Sequence, residues 1–355
     1  MSRSPSIKEV AAAAGVSVGT VSNVLNKPDL VAEATRIRVN AVIAELGFVR
    51  NESARQLRAG SSRTIGLVVI DAANPFFADV ARGVEDGVQE AGGVVLLGNS
   101  DGDADRERRY LELFEEQRVR GVLIAPTGDQ MPPVDSLTRR GIPVVFVDRY
   151  PEDDSYSSVS VDDVAGGRMA TAHLVEGGHR CIGFVGGPSS LRQVRDRKQG
   201  AEEVVAGVKD ASLLVISTVA LTTHAGRMAA DEIATLSDDQ RPTGVFAAND
   251  LIAIGLLGGL AAHGLRVPED VAIVGYDDIE FAEAAAVPLS SVRQPRTELG
   301  RRAAELLFAQ IRAGDEKRTV APEQVRFDCE LVVRRSSEPT SGRKGAASPT
   351  RRKPA

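Results

Sequence analysis

Asp148, Asn249 and Asp277 each stand at the C-terminal end of an apolar run, in VVFVD, GVFAAND and VAIVGYDD, and Arg197 lies in a helical stretch three residues before Gly200. Two carboxylates accept hydroxyl protons while a guanidinium and an amide donate, so the set can hold a polyhydroxylated molecule. Phe76 and Phe77, in NPFF, offer apolar surface to wall off a sugar or base face, with one of the two expected in the core. Bond-breaking chemistry finds less support. The chain has no P-loop, no G-x-G-x-x-G after a strand and no nucleophile elbow. His173, His179, His224 and His263 are scattered without metal-ligand spacing, and His179 falls in a helix-to-strand turn where a structural hydrogen bond is expected. Cys181 and Cys329 sit in apolar, strand-like segments and read as core packing. The set reads as a binding site, with no catalytic residue, metal or cofactor. A strand-end polar residue also serves as a helix N-cap, and that plainer role is expected of Asp250 and Asp278 rather than of Asn249 and Asp277.

A second group of polar residues lies in IKEVAAAAGVSVGTVSNVLN, residues 7–26. Ile7, Val10, Ala11 and Ala14 give one helix a buried stripe, and Gly15 supplies a sharp turn. Ser17 caps the next helix, where Val21, Val24 and Leu25 share a face and Val18, Gly19, Thr20, Ser22 and Asn23 are left mostly outward. That outward face needs a partner. A third amphipathic stretch, EATRIRVNAVIAELGF, ends at Gly47, and NESARQLRAGSS, residues 51–62, reads as a linker that becomes helical only with help. Charge separates this head from the rest. The chain carries −6 overall, but residues 1–63 hold nine Lys/Arg against five Asp/Glu. A basic head on an acidic body implies that the head alone approaches a polyanion.

From Ile65 onward, strands alternate with helices: IGLVVI, VVLLGNS, VRGVLIAPT and IPVVFVD, then CIGFVGGP, LLVIST, GVFAAND and VAIVGYDD, and a last strand in VRFDCELVVRR. Fully apolar strands of this kind belong in parallel sheets covered on both faces, here two sheets in two lobes. Residues 336–355, rich in Pro, Gly, Ser and charge, read as a disordered tail. No run approaches a membrane span and the N-terminus lacks a secretory core, so the cytoplasm is the expected location.

These matches occur in a fixed order: EVAAAAGVSVGTVSNVLN, NESARQL, NPFF, VFVDR, EGGHRCIGFVGGP, VRDRKQG, FAANDLIAIG and VGYDD. In them the chain resembles the LacI/GalR family of bacterial transcription regulators, from residue 6 to about residue 335. The resemblance implies a small all-α helix-turn-helix head (1–50), a hinge helix and linker (51–63), and an α/β core of two lobes like periplasmic sugar-binding proteins (64–335). Lobe 1 is then expected at about 64–161 and 293–323, and lobe 2 at about 162–292 and 324–335. It implies a homodimer on palindromic operator DNA, acting as a repressor under control of a small effector held between the lobes.

A recognition helix presents its N-terminal residues to base edges in the major groove, which suits Val18 for a thymine methyl and Asn23 for an adenine edge. Ser17, Ser22 and Asn26 are placed to bond phosphates or caps. Gly19 has no side chain where many relatives carry a longer one, and Ala32 replaces the Ser or Thr that caps the third helix in relatives, at a cost of about 1 kcal/mol. Asn51, Ala54 and Leu57 match the family's hinge register, which implies a pair of helices in the minor groove with Leu57 wedged between base steps. A sugar is the expected effector, but Leu221 stands where sugar-binding relatives often have an aromatic residue, which weakens stacking on a sugar there and keeps a purine or another small polar metabolite as the alternative. Two other classes share the core: a sugar-phosphate enzyme and an exported sugar-binding protein, the latter having no use for residues 1–62. After Arg335 there is no leucine and no heptad, so the dimer is expected to go no further.

Overall fold

The structure is a computed structural model and describes residues 5–48, 62–128, 132–151 and 155–338. The hinge positions Asn51, Ala54 and Leu57 and residues 339–355 lie outside the described residues. The chain divides into two compact units, 1–62 and 63–355.

In the first unit, α1 (Ile7–Ala14), α2 (Val18–Asn26) and α3 (Glu33–Leu46) pack around Val10, Ala11, Ala14, Val21, Val24 and Val39. Ser6 and Glu9 form a reciprocal capping box at the start of α1, and Gly15 ends it in the left-handed region at φ 64°. Ser17 Oγ accepts from the Thr20 amide at 3.0 Å to cap α2. Ala32 supplies no side-chain cap to α3. Ile37, an apolar residue of the amphipathic stretch that forms α3, is 62% exposed.

The second unit contains two six-stranded sheets with the same strand order. Sheet 1 comprises β1 (Thr64–Val69), β2 (Val94–Asn99), β3 (Gly121–Ile124), β4 (Val144–Val147), β5 (Ser157–Val161) and β11 (Gln324–Phe327), ordered β11-β5-β4-β3-β1-β2, all parallel. Sheet 2 comprises β6 (Cys181–Gly186), β7 (Ser212–Ser217), β8 (Gly244–Ala247), β9 (Ala272–Asp277), β10 (Ser290–Arg293) and β12 (Glu330–Val332), ordered β12-β10-β9-β8-β6-β7, with only β12 antiparallel. The core is therefore a doubly wound fold made twice.

Three details differ from the sequence reading. The last strand is two strands: β11 joins sheet 1 and β12 joins sheet 2, so residues 324–327 belong to lobe 1. The expected tail starts too early, because Ser336 and Ser337 are buried and bonded to Ile273 O and Ser290 Oγ. Strands β5 and β10 were not anticipated. They read SSVSV and SSVR, and their serine hydroxyls find partners instead of apolar neighbours: Ser157 Oγ accepts from Gln310 and Ser291 Oγ donates to Asp250.

The helices flanking the sheets include α4 (Pro75–Glu90), α7 (Asp163–Glu176), α8 (Arg192–Ala206), α9 (Thr223–Thr235), α10 (Asp250–Ala262) and α12 (Arg296–Asp315); α5 (Ala104–Glu116), α6 (Asp135–Arg139) and α11 (Glu280–Ala284) complete the set. Three pairs of them cross backbone to backbone at facing glycines. A Cβ at Gly83 would lie 2.0 Å from Thr297 O and one at Gly300 2.0 Å from Val80 O; Gly167 meets Arg197 O at 2.1 Å and Gly200 meets Val164 O at 2.2 Å; Gly226 meets Ile252 O and Gly255 meets Thr223 O, both at 2.1 Å. In every case a glycine faces the carbonyl three residues ahead of its partner glycine. Any side chain at these six positions would push the helices apart.

Candidate functional site

The crossing at Gly167 and Gly200 sets the heart of the site, since the carbonyl pressed against Gly167 is that of Arg197 itself. Asp163, the first residue of α7, is thereby brought onto Arg197 of α8, and the Arg197 Nε–H donates to Asp163 Oδ1 at 2.7 Å. One terminal N–H group of Arg197 donates to Ala248 O at 2.8 Å, and the same nitrogen stands 3.8 Å from Asp277 Oδ1. Burial works against the guanidinium charge, but the carboxylates of Asp163, Asp277 and Asp148 raise its pKa above the ordinary arginine value.

Asp148 follows β4 and Asp277 closes β9, both buried and both in left-handed backbone, φ 55° and 102°. Such strain collects where a side chain must be aimed. Asp148 Oδ2 accepts from Gln193 Nε2 at 3.3 Å, a contact between lobe 1 and lobe 2, while Oδ1 is buried with no hydrogen-bond partner among the described residues. Burial first, and then the nearby Asp163 carboxylate, push the Asp148 carboxyl well above the usual range. Asp277 Oδ1 accepts from Gln294 Nε2 at 2.7 Å, and Gln294 Oε1 is likewise buried and unpartnered. Burial raises Asp277 to about 6, against the opposing pull of Arg197. Two buried oxygens among the partners of Arg197 and Asp277 thus have no donor among the described residues. A pocket of about 200 Å³ is lined by Asp148, Tyr150, Ser160, Asp163, Gln193 and Arg326, among others.

The six expected residues are not equivalent. Asp148, Arg197 and Asp277 converge as expected, and of the six only Asp148 lines that pocket. Asn249, not Asp250, caps α10: its Oδ1 accepts from the Ile252 amide at 3.0 Å, and its Nδ2 donates to Leu221 O at 3.2 Å. The expectation is reversed because Asp250 is fully buried and bridges the Ile279 amide and Ser291 Oγ. Asp278 caps nothing either; it pairs with Arg293 and Arg334 at 2.7 and 2.6 Å, which hold its carboxyl below the ordinary range in spite of burial. Phe76 and Phe77 both belong to the lobe 1 core, their rings edge to face at 4.9 Å, so neither is an open wall. Sequence reasoning missed Asp163, Gln193 and Gln294. Asp163 had a signal, a carboxylate at a helix start, but its match to Arg197 is made only by the glycine crossing.

The scattered residues are structural. His179 bonds Thr243 Oγ1 at 3.0 Å and His173 bonds Ser337 Oγ at 2.7 Å. Among the described residues no three His, Cys, Asp or Glu side chains converge as metal ligands, and no helix is long and apolar enough to cross a membrane.

In the first unit Val18, Gly19 and Asn23 are exposed on α2, with Thr20 and Ser22 half-buried. Asn26 Nδ2 donates to Ser22 O at 2.9 Å, and Ser17 Oγ and Thr20 Oγ1 lie 2.9 Å apart. A Cβ at Gly19 would meet only Ser17 Oγ, at 3.5 Å, so packing does not demand glycine there.

Comparison with known proteins supplies the rest. Residues 6–51 match the model for bacterial regulatory proteins of the lacI family, and residues 171–337 match the periplasmic binding protein-like domain. The chain is 34% identical over 335 residues to the HTH-type transcriptional repressor PurR of Photobacterium profundum, covering 93% of this chain and 98% of that one. It is 37% identical over 306 residues to the ribose operon repressor of Bacillus subtilis, covering 86% and 91%. Among solved structures, the complex of the transcriptional regulator CelR with cellobiose matches at 36% identity and a TM-score of 0.67, over 94% of this chain and 99% of that one.

Proposed function

The chain belongs to the lacI family of bacterial regulatory proteins and is a DNA-binding transcriptional repressor, not an enzyme; from that premise we propose that its effector is a small uncharged sugar of pentose size, held in the cleft by Asp148, Arg197 and Asp277 with Gln294 and Gln193. The observation that carries this reading is the pair of buried oxygens, Asp148 Oδ1 and Gln294 Oε1, left without donors beside a guanidinium already engaged by Asp163. Hydroxyl groups supply such donors. Against stacking of a planar base, Phe76 and Phe77 are buried in the core, and one face of the Tyr150 ring, which lines the pocket, already carries the Arg326 guanidinium at 4.1 Å. Two relatives are named for sugars, ribose and cellobiose, the first of them a pentose. Asn249 shapes the site by capping α10.

In this scheme residues 1–50 are the head. Val18, Gly19, Thr20 and Asn23 face base edges in the major groove, while Ser17, Ser22 and Asn26 hold the start and end of α2 against the phosphates. Residues 51–63 are the hinge, with Asn51, Ala54 and Leu57 in the minor groove. Two copies read a palindrome, in the cytoplasm, and the effector alters lobe orientation to change operator affinity. For pairing of copies the edge strand β2 is the favoured surface, since Val94, Leu96 and Leu97 are 59%, 43% and 51% exposed on it. The test is thermal shift of the full chain with D-ribose, cellobiose and purine bases, followed by gel shift on a palindromic operator. Stabilisation by D-ribose that changes operator affinity is the expected result; stabilisation by a purine base alone overturns the sugar reading.

A further inference from the structure

Tyr276 lies in β9 one residue before its end at Asp277 and is wholly buried. The central guanidinium carbon of Arg197 lies 3.7 Å from the centroid of its ring, the spacing of a cation resting on an aromatic face. The ring cannot slide away. Its hydroxyl is packed where a Cβ at Gly166 would come within 2.2 Å, and lies 3.6 Å from Cys329 Sγ in the segment that leaves β11 of lobe 1 for β12 of lobe 2.

Arg197 has five N–H groups in a rigid plane. Asp163 and Ala248 O fix two directions within that plane. Two in-plane bonds still leave the guanidinium free to tilt about their common side, and only a surface against its face removes that freedom. We propose that Tyr276 is a positioning residue of the effector site: its ring sets the plane of the Arg197 guanidinium, so that the N–H groups not used by Asp163 and Ala248 stay aimed past Asp277 at the effector. This rests on the reading of Arg197 as an effector ligand, and it makes the site depend on a residue that touches no ligand. It also links the site to a crossing between the lobes, because the hydroxyl is confined at Cys329.

The test uses the full chain labelled with ¹⁵N-arginine, the Arg197 Nε–H signal being assigned by its loss in R197K. In the effector-free parent, a separate, slowly rotating guanidinium signal is expected. It should persist in Y276F, which keeps the ring, and collapse toward the signals of mobile arginines in Y276M, which fills space without a π face. Calorimetry with D-ribose should give affinity within about two-fold of the parent for Y276F and at least about ten-fold weaker for Y276M. Equal weakening by the two variants, or an Arg197 signal unaltered in Y276M, overturns the proposal. So does a freely rotating Arg197 in the parent, a result that stands even where Y276M fails to fold. A parent chain that ignores D-ribose overturns the pentose reading instead, and the arginine signals then decide this proposal alone.

Discussion

Asp277 carries two kinds of information at once, a strained backbone at φ 102° and a carboxyl raised to about 6 by burial. In the unfolded chain an aspartate titrates near pH 4. Between about pH 4 and about pH 6 the folded chain therefore holds a proton that the unfolded chain has released, so this residue's contribution to stability falls as pH rises through that window. The expected size is on the order of 2–3 kcal/mol at most. Melting temperatures of the parent and Asp277→Asn, measured from pH 7 to pH 5, should show the parent gaining on the variant as pH falls; a gap independent of pH contradicts the buried, protonatable carboxylate. His173, pushed down by burial, shifts stability the other way, but in both proteins alike. In the head, Asn23→Ala is expected to relax base preference at one position in each half-site, by about 1–3 kcal/mol against the right base. Binding to a panel of single-base operator variants checks this, and uniform weakening would move Asn23 to the DNA backbone.

At the scale of elements, two glycines on α10 make opposite predictions. Gly255 faces Thr223 O, where a Cβ would stand at 2.1 Å, whereas Gly258 has nothing within 4 Å. Gly255→Ala should lower stability by about 2–3 kcal/mol through forced separation of α9 and α10. Gly258→Ala should raise it by up to about 1 kcal/mol, because alanine is the better helix former. Thermal or urea unfolding of the pair decides; two variants of like sign would refute the crossing. The elements were largely legible in the sequence where burial is apolar. IGLVVI and VAIVGYDD announce parallel strands because both faces are covered. SSVSV and SSVR did not, since hydroxyl partners such as Asp250 for Ser291 come from distant segments and leave no local pattern. The site was legible to the same extent: strand ends named Asp148 and Asp277, but Asp163 and Tyr276 matter through contacts with Arg197 that only the helix crossing creates. Phe76 and Phe77 looked like a wall because their order beside NP was visible and their burial was not.

Over the whole molecule, charge and pairing set the expectations. Nine Lys/Arg in residues 1–63 against an acidic body predict operator affinity that falls steeply with salt, as bound counterions are released from the phosphates. A filter-binding series in potassium chloride measures the slope, and a flat line would remove the phosphates from the account. On the proposed pairing of copies through β2, Leu96→Asp should sediment as a monomer and bind operator more weakly, while the affinity for the proposed effector, D-ribose, stays within about two-fold. A variant that still sediments as a dimer would move the interface elsewhere.

The three glycine crossings have a mechanical consequence. Helices that touch backbone to backbone leave no layer of side chains between them to yield, so the helix pairs beside each sheet resist compression as stiff plates do. What can bend is the chain passing between the lobes: after β5, before α12, and between β11 and β12. A shift of less than an ångström where a ligand sits is then not soaked up nearby. It grows with distance from the pivot, as the blade of an oar travels farther than the hand, and this is how a small molecule between two lobes can be felt at the far rim of one of them.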